Sequence, residues 1–274
     1  MKPRDIRLIG LDLDGTILNS KKQITPRTLE AIQKAIAAGI MVMPATGRPL
    51  SGVDNSFLQI SGVEYALTSN GASVYRLSDR QLMFSDCFTH PKAVELLKIL
   101  LEYKAMTSVQ MDGQAYVRSF DGDVLNGVIQ WELVEYFRKT RVVVPDLIKH
   151  VEESGHPVEK FSLVFHQAEE LRRATETMQS RDDNCVTSSL TMNLEINTPS
   201  ANKGAAMLAL GQKLGIPKEC IMGVGDSGND YEMLRQVGYG VAMGNADERV
   251  KSVADAVTAG CDEDGVALAI EAIL

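Results

Sequence analysis

The chain has 274 residues, 45% hydrophobic and 23% charged, an ordinary globular composition with room for one large or two ordinary domains. Lys plus Arg number 28 against 36 Asp plus Glu, and the net charge of -8 argues against a general nucleic-acid binder, which would carry a basic stripe. Four cysteines, Cys87, Cys185, Cys220 and Cys261, form no C-x-x-C pair, so neither disulfide staples nor a zinc site is expected, and Cys220 reads as core.

The opening MKPRDIRLIG runs from charged residues straight into a strand-like segment, without a signal-peptide apolar region. No run reaches membrane-spanning length, so a cytoplasmic location without a membrane partner is expected. Residues 6–13 are apolar enough for a strand covered on both faces of a parallel sheet. In TPRTLEAIQKAIAAG, Thr25 reads as an N-cap and Pro26 as first-turn proline. Leu29, Ile32 and Ile36 repeat at helical spacing, and Gly39 stops the helix. IMVMPAT and EYALTSNGA read as the next two strands, which makes a βαβ unit.

From about 83 to 196 the texture changes. Short alternating strands (MTSVQM, QAYVR, FSLVFH, MNLEIN) are separated by turn sequences and by helices rich in Glu, Lys and Arg. Trp131, Leu133, Val134 and Phe137 read as helix packing, and His90, His150, His156 and His166 as surface or packing residues. Then the first style returns. A helix opens at NKG, CIMGVGD is a strand, NDYEMLRQVG a helix and GYGVAMG a short strand. DERVKSVADAV is a helix leading to a last strand near Ala256, and DGVALAIEAIL closes the chain as a helix. The expected fold class is α/β: a Rossmann-like doubly wound parallel sheet in residues 1–82 and 197–274, with an inserted α+β domain at 83–196.

The strand ends carry the chemistry. Alternation along a strand points Asp12 and Asp14 the same way, at the carboxyl edge where open α/β sheets bind ligands. The second strand ends in ATGRP with Thr46 and Gly47. The strand near 220 ends in GDSGND with Asp226, Asn229 and Asp230, and the NKG helix places Lys203 in its first turn. Carboxylates clustered without histidine or cysteine suit a hard cation such as Mg²⁺, which also lets a phosphate dianion approach. Thr46, Lys203 and the backbone N–H groups around Leu13 to Gly15 can hold phosphoryl oxygens. Asn70 in TSNGA and Arg48 are each read either as local structural residues or as contacts to substrate.

Rival readings are weaker. D-x-D also occurs in calcium loops, but an EF-hand from Asp12 needs glycine at 17 and glutamate at 23, where this chain has Ile17 and Gln23. GVGDSG matches a dinucleotide-binding glycine pattern, yet Asp226 would face the pyrophosphate. DEDG at 262–265 reads as a turn into the last helix.

DLDGT (12–16), ATGRP (45–49), NKG (202–204) and GDSGND (225–230) resemble, in order, the four motifs of the haloacid dehalogenase-like phosphatases. VAMGNA (241–246) and DEDGVALAI (262–270) resemble the C-terminal signature of their Cof-type branch, often described as sugar phosphatases. The resemblance implies that Asp12 is a nucleophile that becomes an aspartyl-phosphate and that Asp14 is the general acid and base. It implies Mg²⁺ held by the Asp12 carboxylate, the Asp14 backbone carbonyl and Asp226, with Asp230 and Asn229 in support. Thr46 and Lys203 would stabilise the transferring phosphoryl group. It further implies a cap domain between the second and third motifs that selects the substrate. The expected activity is hydrolysis of small phosphorylated metabolites, with a phosphate-binding regulatory protein or a phosphotransferase or phosphomutase as alternatives. Selectivity is expected in loops near Asp112–Tyr116 and Phe161–His166, while one chain leaves the substrate and the oligomeric state open.

Overall fold

The computed structural model describes residues 5–53, 55–119, 131–189 and 191–274, with side chains except those of 131–133. Residues 1–4 and the side chains of Trp131 and Leu133, read above from the sequence, lie outside the described residues. In chain order the strands are β1 (Leu8–Leu11), β2 (Met41–Pro44), β3 (Tyr65–Thr68), β4 (Ser73–Arg76), β5 (Leu82–Ser85), β6 (Ala105–Met111) and β7 (Gln114–Val117). There follow β8 (Arg141–Val143), β9 (Lys160–Phe165), β10 (Cys185–Thr187), β11 (Asn193–Asn197), β12 (Ile221–Gly225), β13 (Tyr239–Ala242) and β14 (Ala256–Val257). The chain divides into two compact units, one of residues 1–47, 53–85 and 202–274, the other of 48–52 and 86–201.

The first unit is built on a sheet in the order β14-β13-β12-β1-β2, every neighbouring pair parallel. Its central strands LIGL and IMGVG are buried along their whole length, which is why they show no polar alternation. The helix Pro26–Ala37 starts as the sequence predicts: Thr25 accepts the Thr28 N–H at 3.2 Å with Pro26 next to it. It buries Thr28, Ala31, Ile32 and Ala35, one stripe at helical spacing. Ile32 alone, fully enclosed, contributes about 1.5–3 kcal/mol of burial. Two apolar clusters fill the unit, one including Ile9, Leu11, Ile32 and Ile270, the other Leu8, Met43, Met207 and Ile221. Cys220 belongs to the second cluster, as read from its apolar run.

The third predicted strand is instead the start of a meander. β3, β4 and β5 pair antiparallel, and a bridge between Ala45 and Leu67 joins β3 to the end of β2. The helix expected over DERVKSVADAV is short, Glu248–Lys251, because the chain turns at once into β14.

The second unit has a six-stranded sheet in the order β10-β11-β9-β6-β7-β8. Phe161, Leu163, Phe165, Val109, Leu194 and Ile196 share one face and pack with helix residues such as Leu96, Leu97, Val151 and Met178. Of the four histidines, all in this unit, His90 and His150 are partly buried and His156 and His166 are exposed. Among the described residues no helix is long and apolar enough to cross a membrane.

Candidate active site

β1 ends at Leu11, and the Asp12 N–H extends its ladder by donating to the Val224 carbonyl at 3.0 Å. The backbone then coils instead of continuing as a strand. The Ile17 and Leu18 N–H groups return to the carbonyls of Asp12 and Leu13 at 3.3 and 2.9 Å. Gly15 makes this possible with φ +81, and a side chain there would overlap the Asp226 carboxylate. The strand alternation expected for Asp12 and Asp14 therefore does not hold. Asp12 is buried, whereas the Asp14 side chain is 43% exposed and pairs with Lys22 at 2.9 Å. Leu13 sends its side chain into the core and offers only backbone to the coil.

Lys203 opens the helix Lys203–Leu214, whose N-cap Asn202 accepts the Ala205 N–H at 2.8 Å. That cap is the role of the asparagine of NKG. The lysine side chain is fully buried and its Nζ donates to Asp12 Oδ1 at 2.6 Å and Asp230 Oδ1 at 2.7 Å. The other Asp230 oxygen accepts the backbone N–H groups of Asp226 and Ser227, both at 3.0 Å, and the Ser227 hydroxyl at 3.3 Å. With both oxygens engaged, Asp230 fixes Lys203 and the loop that carries Asp226. Asp226 in turn accepts from Thr16 Oγ1 at 2.7 Å, which joins the turns after β1 and β12.

Asp12, Asp226 and Asp230 each offer a carboxylate oxygen, and these oxygens lie within 4.8 Å of one another. Three carboxylates face one ammonium, leaving two uncompensated negative charges in a largely desolvated space. Burial, then the Asp230 charge, pushes the Asp12 carboxyl well above the usual range, with Lys203 opposing. Burial and Asp230 raise Asp226 to about 6. Burial works against the Lys203 charge, but Asp12 and Asp230 outweigh it and hold Lys203 cationic. An all-oxygen donor set under mutual repulsion fits a hard divalent cation.

Thr46 follows β2 and is buried, its N–H donating to the Leu67 carbonyl at 3.0 Å and its own carbonyl accepting the Asn70 N–H at 3.1 Å. Asn70 sits in a turn with three successive positive φ values, 53 at Ser69, 61 at Asn70 and 96 at Gly71. A side chain at Gly71 would strike the Asn202–Lys203 backbone, so this turn lets the lysine helix approach. Asn70 Oδ1 accepts from Asn229 Nδ2 at 3.1 Å, linking the turns after β3 and β12. Strain of this kind concentrates at functional sites.

Thus Asp12, Lys203, Asp226 and Asp230 converge, and Thr46, Asn70 and Asn229 form a chain of contacts. Gly47 is the last residue of the first unit before residues 48–52. Arg48 belongs to the second unit, where it lies 4.5 Å from the centre of the Tyr136 ring and donates to the Gly52 carbonyl at 3.2 Å. Sequence reasoning passed over Thr16, Ser227 and Asn245. Asn245 Nδ2 donates to the Gly15 carbonyl at 2.9 Å and contacts Asp226 Oδ2 at 3.4 Å, while its Oδ1 accepts the Cys261 N–H at 2.9 Å. The one available signal was VAMGNA itself. The DEDG turn is tied to the same region, with Ser20 N–H donating to Asp262 at 2.9 Å.

The sequence profile of the family described as haloacid dehalogenase-like hydrolase matches residues 9–270. Phosphatase YwpJ of Bacillus subtilis is 30% identical over 96% of this chain and 98% of its own. The 5-amino-6-(5-phospho-D-ribitylamino)uracil phosphatase YcsE of the same organism is 28% identical over 97% and 95%. A solved haloacid dehalogenase-like hydrolase from B. subtilis superposes with a TM-score of 0.85 at 28% identity, covering 98% of this chain and 100% of that one.

Proposed function

On the premise that this chain is a phosphatase of the haloacid dehalogenase-like hydrolases, the family to which it belongs, we propose that it hydrolyses small phosphorylated metabolites with Mg²⁺ by way of a phosphoryl group carried on Asp12. The observation that carries this reading is the buried Asp12 carboxylate, bonded to Lys203 and grouped with Asp226 and Asp230 at the carboxyl ends of β1 and β12.

An Asp12 oxygen attacks phosphorus as the ester P–O bond breaks, and Asp14 gives its proton to the leaving alkoxide. Asp14 then takes a proton from water as that water attacks phosphorus, which releases inorganic phosphate and restores the Asp12 carboxylate. For this the Asp14 carboxylate leaves Lys22, an exposed pair worth at most about 1 kcal/mol. Lys203, the Thr46 hydroxyl and the N–H groups of the Leu13–Gly15 turn and Gly47 hold the charge of the transferring group. The Asp12 and Asp226 carboxylates and the Asp14 carbonyl are the ligands for Mg²⁺, which when bound supplies the positive charge that screens phosphate from the aspartates. The second unit selects the leaving group. Asn229, Asn70 and Asp230 hold the rim in place.

The test is phosphate release from a panel of phosphorylated metabolites with Mg²⁺ and with chelator. Asp12→Asn is expected to lower turnover by about a thousandfold or more, since the nucleophile is gone. Wild-type turnover by that variant would overturn the reading.

A further inference from the structure

Asn245, which the proposed reaction does not use, reaches Asp226. β13 continues past Ala242, the Met243 N–H donating to the Gly225 carbonyl at 2.9 Å, so the turn that follows lies beside Asp226. That turn closes with the Ala246 N–H on the Met243 carbonyl at 3.0 Å, and Asn245 sits within it. The C-terminal stretch comes up against the same turn. The Gly244 N–H donates to the Ala259 carbonyl at 3.0 Å, and a side chain at 244 would overlap the Ala259–Gly260 backbone.

Asn245 is exposed, yet both polar atoms of its side chain are spent on other segments. Nδ2 donates to the Gly15 carbonyl at 2.9 Å and to Asp226 Oδ2 at 3.4 Å, and Oδ1 accepts the Cys261 N–H at 2.9 Å. An asparagine that serves only its own turn behaves otherwise: Asn19 Oδ1 accepts the N–H groups of Lys21 and Gln23 in its own loop, both at 3.0 Å. The Asn245 amide is therefore anchored on two sides and presents its donor to Asp226 in one orientation. Thr16 Oγ1 holds the other Asp226 oxygen at 2.7 Å. With a donor on each oxygen the carboxylate is fixed, and rotation toward a two-oxygen grip on one ion strains those bonds. Ca²⁺ accepts such a grip in a flexible shell, whereas Mg²⁺ demands a smaller, near-octahedral one.

We infer that Asn245 is a positioning residue for Asp226, fixing its carboxylate for a small divalent cation and so setting the preference for Mg²⁺ over Ca²⁺. The inference rests on the proposed reading of Asp226 as a ligand for Mg²⁺. Two further ties, the Ser20 N–H to Asp262 at 2.9 Å and Thr25 Oγ1 to Asp264 at 2.5 Å, join the segment after β1 to the same C-terminal stretch. Those two hold segments together; of the three ties, only Asn245 reaches a carboxylate of the metal site.

The test is Mn²⁺ binding to the full chain, followed by water-proton relaxation with Mg²⁺ and Ca²⁺ as competitors, which needs neither substrate nor turnover. Asn245→Ala is expected to weaken Mg²⁺ by about tenfold or more and Ca²⁺ by less, so that the ratio of the two affinities falls by about fivefold or more. Asn245→Ser, with a shorter donor, is expected to lie between that variant and wild type, and it reads the same ratio should the alanine variant not fold. Asp262→Ala cuts the tie to Ser20 and is expected to lower the melting temperature while leaving the ratio at its wild-type value. An unchanged ratio in the Asn245 variants, or an equal fall in Asp262→Ala, overturns the inference and leaves Asn245 a tie between segments. Wild-type Mn²⁺ binding that persists undiminished in Asp226→Asn overturns the metal reading itself, and the inference with it.

Discussion

Lys203 shows how much one side chain carries. It is fully enclosed, and both of its hydrogen-bonded partners are carboxylates, so its charge is what allows Asp12 and Asp230 to be buried side by side. Lys203→Met is expected to destabilise the protein by about 3–5 kcal/mol, since it leaves buried charge uncompensated, and to abolish turnover. Denaturant unfolding followed with the activity assay checks both. Asp226 gives a prediction of opposite sign to the usual carboxylate. Its pKa in the fold, about 6, lies above the ordinary 3.8, so the folded state holds its proton longer than the unfolded state does. Asp226 therefore costs no stability at about pH 4 and becomes progressively destabilising as pH rises through about 6. In chelator, Asp226→Asn should gain thermal stability over wild type as pH goes from about 4 to about 6, and Mg²⁺ should cancel that gain. A gain that does not change with pH would contradict the assignment. At this scale the acids were legible because carboxylates are improbable at the ends of apolar strands, and the lysine because NKG opens a helix beside them. Asp230's support of Lys203, Asp14's pairing with Lys22 and Asn245's link to Asp226 were not, because each depends on a contact between distant segments.

Among elements, the turns after strands do the positioning. The coil after β1 bends at Gly15 and the turn after β3 is strained from Ser69 to Gly71; the helix of Lys203 begins on an asparagine cap. Gly15→Ala combines a positive φ with an overlap on Asp226, and about 1–3 kcal/mol of destabilisation is expected together with a large loss of turnover. Thermal unfolding of that variant unchanged from wild type would show that the coil tolerates a side chain. The strands β1, β2, β12 and the helix from Pro26 were readable because continuous burial and helical spacing leave strong patterns. β8 and β10 were missed, being three-residue edge strands with almost no period to read. The boundary expected between 82 and 83 cuts through β5, Leu82–Ser85, which completes the β3–β5 meander, and only its pairing with β4 reveals that. Four alternating runs indicated the mixed sheet of the second unit.

At the scale of the whole molecule, two units each fold around their own apolar clusters, and the segments of the first come from both sides of the second in sequence. The parallel sheet brings residues about two hundred positions apart in the chain, Asp12 and Lys203, into one hydrogen bond. The central claim is that this convergence makes Asp12 the acceptor of phosphorus. The most direct measurement is to acid-quench the wild-type protein during turnover with Mg²⁺ and a hydrolysed substrate, then locate phosphoryl groups by peptide mass spectrometry. The account predicts a phosphoryl group on Asp12 and none when chelator is present or Asp226 is changed to Asn. A phosphoryl group on another residue, or an unmodified Asp12 while phosphate release continues in Asp12→Asn, would contradict it.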